Sequence, residues 1–226
     1  MKKIILILIL FLSCYFIYNR TIDEKLYYLT IGDFLSKGIN ENGALTYGYN
    51  RYVLDYLSHN NKLKDYNQIY TDVDYRIIDV IKILEYNEMK DKQSLNYLIK
   101  KADIITISLG TNELYYKLDN NTNQVYTYID EMINNYDKIL SYISTFHHKK
   151  VFILGYYNIY KEDNDIFNYA NYKLEKLCKK YNYTYIELSK IFNNNPIYFN
   201  KKNSFIPNSA GYEKISQIIV EKFKNN

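Results

Sequence analysis

The sequence predicts an α/β protein in which a five-stranded, mostly parallel sheet carries helices on both faces. Two observations predict it. Apolar runs of six to eight residues alternate, five times over, with longer segments whose apolar residues recur every three or four positions. Residues 21–226 also contain no fixed-period repeat and no Gly/Pro/Ser-rich linker, so a single domain with one body of core follows.

KLYYLTI (25–31) is the first strand, ending at Gly32. TYGYNRYVLDYLSHN (46–60) spaces its apolar residues as a helix does, and DYNQIYT (65–71) reads as the second strand. RIIDVIKILEY (76–86) and SLNYLIKKA (94–102) are helical. They lead to DIITISL (103–109), an unbroken apolar run of the kind buried on both faces. VYTYIDEMINNYDKILSYIS (125–144) keeps the 3.6-residue period over several turns, and KVFILGYY (150–157) is the fourth strand. IFNYANYKLEKLCKKY (166–181) is a helix and YTYIEL (183–188) the fifth strand. SAGYEKISQIIVEKF (209–223) closes the chain as a helix with Tyr212, Ile215, Ile219 and Phe223 on one face. In such a sheet ligands sit beyond the carboxyl ends of the strands. Those ends carry Gly32-Asp33-Phe34, Thr71-Asp72-Val73-Asp74, Gly110-Thr111-Asn112-Glu113 and Tyr156-Tyr157-Asn158.

Residues 1–20 differ in kind. Lys2 and Lys3 precede IILILILFLSCYFIY (4–18), which carries no charge, and Asn19 and Arg20 follow. A basic start before an apolar run is an export signal. Three outcomes are open: a retained membrane anchor, a lipoprotein leader with Cys14 as the lipidated residue of FLSC, or simple secretion. All three place residues 21–226 outside the cytoplasm, with the membrane as a partner through the N-terminal segment. Cys178 is then the one cysteine of the folded part, at a helical apolar position that suits core, and no intramolecular disulfide is available to it. The net charge of +4 comes without a basic run interleaved with aromatics, so nucleic acid is not an expected partner. His59, His147 and His148 fall at a helix end and before a strand's amino end, away from the expected site; they read as solvated surface, with no third ligand for a metal. No cofactor is expected.

Three segments, in this order, resemble the conserved blocks of the SGNH, or GDSL-type, hydrolases. TIGDFLSKG (30–38) stands where that family has Gly-Asp-Ser-Leu, ADIITISLGTNEL (102–114) where it has an apolar strand ending in Gly-x-Asn-Asp, and NSFIPNSAGYEKIS (203–216) where it has Asp-x-x-His-Pro. ILGYYNIY (153–160) also resembles the stretch after the fourth strand in lipase/acylhydrolase members. The resemblance spans about residues 26–223. It implies a flavodoxin-like three-layer α/β/α sandwich and ester or acyl hydrolysis by a Ser-His-Asp triad with an oxyanion hole.

Carried over position by position, the resemblance leaves no working triad. Phe34 stands at the nucleophile position, Ile206 at the base position and Asn203 at the orienting position. Of the oxyanion hole, the Phe34 backbone N–H and the Asn112 amide persist. The glycine of the second block is replaced by Asp74, with Tyr75 as the alternative alignment. Gly32, Asp33, Gly110, Tyr156 and Asn158 are implied to line a pocket, and Phe34 is expected to pack against Ile206. Ser36 lies two residues beyond Phe34, roughly 6–7 Å along an extended chain, and reads as a loop or helix-capping residue. The expectation is an extracytoplasmic, catalytically inactive relative that binds an acylated glycan, lipid or envelope partner. The alternative is an active ester or acyl hydrolase with a rearranged site.

Overall fold

The structure is a computed structural model that describes residues 25–120, 123–146, 149–159, 162, 164–193, 195–201 and 204–225. Cys14 and the rest of the leader, His147, His148 and Asn203 lie outside the described residues.

The elements in chain order are β1 (Leu26–Gly32), α1 (Phe34–Lys37), α2 (Tyr49–His59), β2 (Leu63–Asn67), α3 (Ile77–Glu85), the hairpin strands β3 (Met89–Lys90) and β4 (Gln93–Ser94), α4 (Leu95–Lys101) and β5 (Ile104–Ser108). There follow α5 (Thr111–Asn120), α6 (Val125–Phe146), β6 (Lys150–Leu154), α7 (Asn164–Lys180), β7 (Thr184–Ile186), α8 (Ser189–Phe192), a 3-10 turn (Pro196–Tyr198) and α9 (Ser209–Asn225). The main sheet has five strands in the order β2-β1-β5-β6-β7, and every pairing in it is parallel. The sequence expectation of five strands in an α/β sandwich holds, and the main sheet is wholly rather than mostly parallel.

Strand alternation builds the layers. Tyr27, Leu29 and Ile31 of β1, with Ile105, Ile107, Val151 and Ile153, face the cluster made by α3, α4, α6 and α7. Tyr28, Ile104, Phe152 and Leu154 face α2 and α9, where Tyr212 anchors the closing helix by donating to the Ile39 carbonyl at 2.8 Å. β1, β5 and β6 are central and covered on both sides, which is why they read as unbroken apolar runs. The edge strands β2 and β7 are less buried than the central three, and β7 is the shortest of the sheet at three residues.

Three strands end more than one residue earlier than the sequence suggests: the fifth stops at Ile186 rather than 188, and the other two stop early for a side-chain reason. The second strand was expected to reach residue 71 but stops at Asn67, whose Oδ1 accepts the Ile69 N–H at 3.0 Å in an Asx turn; beyond it only a lone bridge joins Thr71 to Gly32. The fourth strand was expected to reach 157 but stops at Leu154. The Asn171 amide on α7 then serves as a substitute strand, accepting the Tyr156 N–H at 2.7 Å and donating to its carbonyl at 2.9 Å. α1, α5, α8, the 3-10 turn and the β3–β4 hairpin have no counterpart in the sequence reading. Most are too short for a periodic signal, and α5 is polar along much of its length.

Candidate functional site

Gly32 closes β1 with φ +139°, and a Cβ there would overlap the Ser108 carbonyl oxygen, so the β1–β5 approach at the site requires glycine. The next residue, Asp33, is the N-cap of α1: its Oδ1 accepts the Leu35 N–H at 3.2 Å and the Ser108 hydroxyl at 2.8 Å. Asp33 is 0% exposed and its Oδ2 has no hydrogen-bond partner. Burial pushes its pKa from 3.8 up to about 7, against the pull of the Ser108 hydroxyl and the Leu35 N–H, with the nearby Glu113 carboxylate adding to the rise.

Asp33 is the end of a buried polar chain. The Ser108 hydroxyl meets that of Ser36 at 2.8 Å, Ser36 meets the Tyr49 hydroxyl at 3.0 Å, and Tyr49 donates to Thr106 at 3.3 Å. Tyr28 joins the same Thr106 oxygen at 2.8 Å. Ser36 is also 0% exposed and spends its proton on the Ile31 carbonyl at 2.9 Å. Two serines therefore lie beside a carboxyl near neutrality, yet neither hydroxyl reaches solvent. Sequence reasoning missed Ser108, Thr106 and Tyr49. Their hydroxyls alternate into one face of apolar strands and a helix, and that alternation was the available signal.

Phe34 occupies the strand-end position as a packing residue. It is 1% exposed, and its ring meets the edge of Phe205 at a centroid distance of 5.3 Å. Phe205 in turn stacks on Tyr115 at 4.5 Å with an interplanar angle of 14°, and Tyr115 leans on Phe167 at 5.4 Å. Ile206 packs against the same cluster as Phe34, while the ring partner of Phe34 is the neighbouring Phe205. The plug is pinned from below, because the Tyr157 hydroxyl donates to the Phe205 carbonyl and Tyr115 donates to the Tyr157 carbonyl at 2.7 Å.

Of the two residues that the resemblance implied for an oxyanion hole beside Phe34, Asn112 is engaged by protein and Asp74 faces solvent. Asn112 is half-buried and one of its amide protons goes to the Val73 carbonyl at 2.5 Å, tying the second block to the third. Asp74 is exposed, and its backbone N–H is directed to the Asp72 carboxylate at 3.3 Å. Glu113 caps α3 by accepting the Ile77 N–H at 2.9 Å, and burial raises its pKa.

The residues implied as pocket lining contact protein. Gly110 adopts φ +94° with the Tyr156 hydroxyl close above it, and Tyr156 is fully buried. The Asn158 amide donates to the Glu162 carbonyl at 2.6 Å and to Asn164 at 3.1 Å, and its backbone N–H goes to Asn193 at 2.7 Å. His59 is exposed at the far end of α2, with its Nδ1 on the Asp55 carbonyl at 2.7 Å. Cys178 is buried in the core, and burial pushes its thiol up to about 12. No group of three His, Cys, Asp or Glu among the described residues is placed to hold a metal ion.

Solved structures share this architecture. The lipase Lip_vut3 from a goat rumen metagenome superposes with a TM-score of 0.69 at 19% identity, covering 87% of this chain and 97% of its own. Axe2, an acetylxylan esterase from Geobacillus stearothermophilus, gives 0.68 at 16% identity, with 89% and 95% covered. No curated protein matches the sequence. The family model described as GDSL-like Lipase/Acylhydrolase matches residues 28–219, from the middle of β1 to the last turns of α9, and so takes in all the strand-end blocks described above. The chain belongs to the GDSL-like lipase/acylhydrolase family.

Proposed function

We propose that this protein is a catalytically inactive member of the family, held outside the cytoplasm by residues 1–20, that binds an acylated glycan, lipid or envelope partner instead of cleaving it. The observation that carries the inactive reading is the ring of Phe34, buried at the nucleophile position and locked edge-on against Phe205. Losing a nucleophile or base alone costs roughly 10⁶ in turnover in a Ser-His-Asp hydrolase. What a triad enzyme keeps without it, on the order of 10³ over water, depends on an intact oxyanion hole. Here Asn112 donates to a backbone carbonyl, and an exposed Asp74 stands where the resemblance implies a glycine. The rearranged-site alternative needs an accessible nucleophile; Ser36 is sealed and His59 sits at the opposite edge of the sheet. The esterase named for one structural neighbour acts on acetylated xylan, so acylated sugars are the first ligand class to try.

The test uses the purified full chain with short-chain aryl esters, beside the triple substitution Phe34→Ser, Asn203→Asp, Ile206→His. Wild type at the buffer rate, with turnover gained on substitution, supports an intact scaffold that lacks only its reactive groups. Wild-type turnover abolished by Ser36→Ala overturns the reading. Titration with acetylated xylooligosaccharides tests the binding half: saturable binding weakened by Asn112→Ala supports it, and no heat or shift change at millimolar ligand removes that class.

A further inference from the structure

Because the five strands are parallel, their amino ends share one edge, opposite Phe34 and Gly110. α2, α4, α6 and α7 each lead into a strand and therefore end at this edge. α9 joins them: Lys150 Nζ donates to the Phe223 carbonyl at 3.1 Å, and Lys224 lies over the Tyr56 ring at 5.1 Å. The edge gathers lysines. Its carboxylates Asp65 and Asp103 are paired with Lys101 and Lys149, and Asp137 further up α6 with Lys180. Lys62, Lys64, Lys100 and Lys224 have no ion pair among the described residues, against a single exposed Glu221 on α9.

Lysines in the last turn of a helix complement its dipole, which accounts for Lys100, Lys180 and Lys224. It does not account for Lys62, Lys64, Lys149 and Lys150, which stand on strands and the turns before them. The opposite edge holds Asp72, Asp74, Glu113 and Glu162. Lys37, which donates to the Thr71 carbonyl at 3.3 Å, and Arg76 stand among those carboxylates, so the strand-end edge is mixed in charge where the amino-terminal edge has an excess of lysine. Two aromatics accompany the lysines, as at membrane interfaces: Phe146 is 41% exposed with the Lys100 ammonium 4.3 Å from its ring, and Tyr97 is 54% exposed beside Lys101. The chain reaches β1 on this same edge. Residues 19–25 separate the apolar run from Leu26, a span of at most about 25 Å.

We infer that this basic amino-terminal edge lies against an anionic lipid bilayer, with phosphate-bearing headgroups as its ligand and the plugged strand-end face turned away from the membrane. The inference rests on reading residues 1–20 as a membrane leader, which brings the edge to the surface. The lysines then act within a Debye length of about 8 Å, each worth roughly fivefold in binding.

The experiment is lysine acylation footprinting of the full chain on vesicles of phosphatidylcholine alone and of phosphatidylcholine with phosphatidylglycerol. Lys100, Lys149 and Lys224 are expected to label about tenfold more slowly on the anionic vesicles, with Lys117 and Lys190 unchanged, and 0.5 M salt should abolish the difference. The variant Lys62→Gln/Lys64→Gln/Lys100→Gln/Lys224→Gln should lose the protection of Lys149 while unfolding at the wild-type temperature. Equal labelling on both vesicles by a chain that floats with both overturns the inference and leaves the leader reading standing. Failure to float with neutral vesicles, with protection kept on anionic ones, removes the leader reading and supports the edge. A chain that floats with neither removes both.

Discussion

Replacing Asp33 by Asn should abolish most of a pH dependence of stability that the structure builds into the strand-end turn. The carboxyl is fully buried, its Oδ1 is shared by the Leu35 N–H and the Ser108 hydroxyl, and its Oδ2 has no partner. Its pKa, raised from 3.8 to about 7, means that the folded state keeps a proton the unfolded chain has already released. The stabilisation is therefore fully present below about pH 4 and is lost as pH climbs through about 7. At 1.36 kcal/mol per unit, a rise of about three units is roughly 4 kcal/mol between those limits.

Asn is the permanently neutral stand-in, retaining the Oδ1 acceptor. The variant should nearly match wild type at pH 4 and exceed it by up to roughly 4 kcal/mol at pH 8, a shift of about 2 M in the urea midpoint for a slope near 2 kcal/mol per molar. Urea unfolding followed by circular dichroism at half-unit intervals from pH 4 to 8 measures it. Glu113 and every other titrating group is common to both proteins, so the difference between the two curves isolates position 33. Parallel curves across that range would refute the reasoning, because they would mean that Asp33 is ionised in the folded protein throughout.

Phe34→Ala leaves an aromatic-sized gap between Phe205 and the core and should cost about 3–5 kcal/mol, read from the chemical-denaturation midpoint. Gly32→Ala forces a Cβ onto the Ser108 carbonyl at a φ that L-residues avoid; soluble folded protein should fall sharply in expression and thermal melts, whereas Gly43→Ala, at φ +77° but with open space around it, should cost only the backbone strain of about 1–2 kcal/mol. In a Cys14→Ser background, Cys178 should stay unreactive toward an aromatic disulfide reagent at pH 8 until the protein is unfolded, because its thiol is buried and held up at about 12.

The parts of the fold legible in the sequence are those where burial on both faces or a long period leaves no ambiguity. Ile104–Ser108 and the turns of α6 are such segments. Two of the misread boundaries have side-chain amides behind them, Asn67 turning the chain at the end of β2 and Asn171 standing in for a strand partner beyond β6, and no periodicity records either. At the site, Gly32 and Gly110 were picked out by the resemblance as pocket lining, and both adopt positive φ at the strand ends. Ser36, read as a loop or capping residue, instead links Ile31, Tyr49 and Ser108 from within a single turn of helix. The plug was half-legible. Phe34 and Ile206 were expected to meet, and they do share a cluster, but the stack runs through Phe205 to Tyr115. Tyr115 follows Asn112 by three residues, and only the backbone of α5 shows that its ring points back over the site.

On the proposed reading of an inactive relative, that stack also accounts for how a scaffold could outlast its chemistry. A hydrolytic centre must keep polar groups poised and a cavity open, a demand that generally trades against stability. Filling the nucleophile position with a buried phenyl ring reverses the demand: its burial is worth roughly 1.5–3 kcal/mol, and an edge-to-face contact of the kind made with Phe205 adds about 0.5–1.5. Those terms offset the burial of the Asp33 carboxyl with its Oδ2 unpartnered, a cost that persists beside them at neutral pH. The buried Asp33–Ser108–Ser36 chain and the aromatic plug are then two halves of one arrangement, because the rings that close the site also keep water from the chain beneath. Opening the plug should expose Asp33 to solvent and bring its pKa back toward the ordinary carboxylate range, so the Phe34→Ala and Asp33→Asn effects at pH 8 should fall short of additivity.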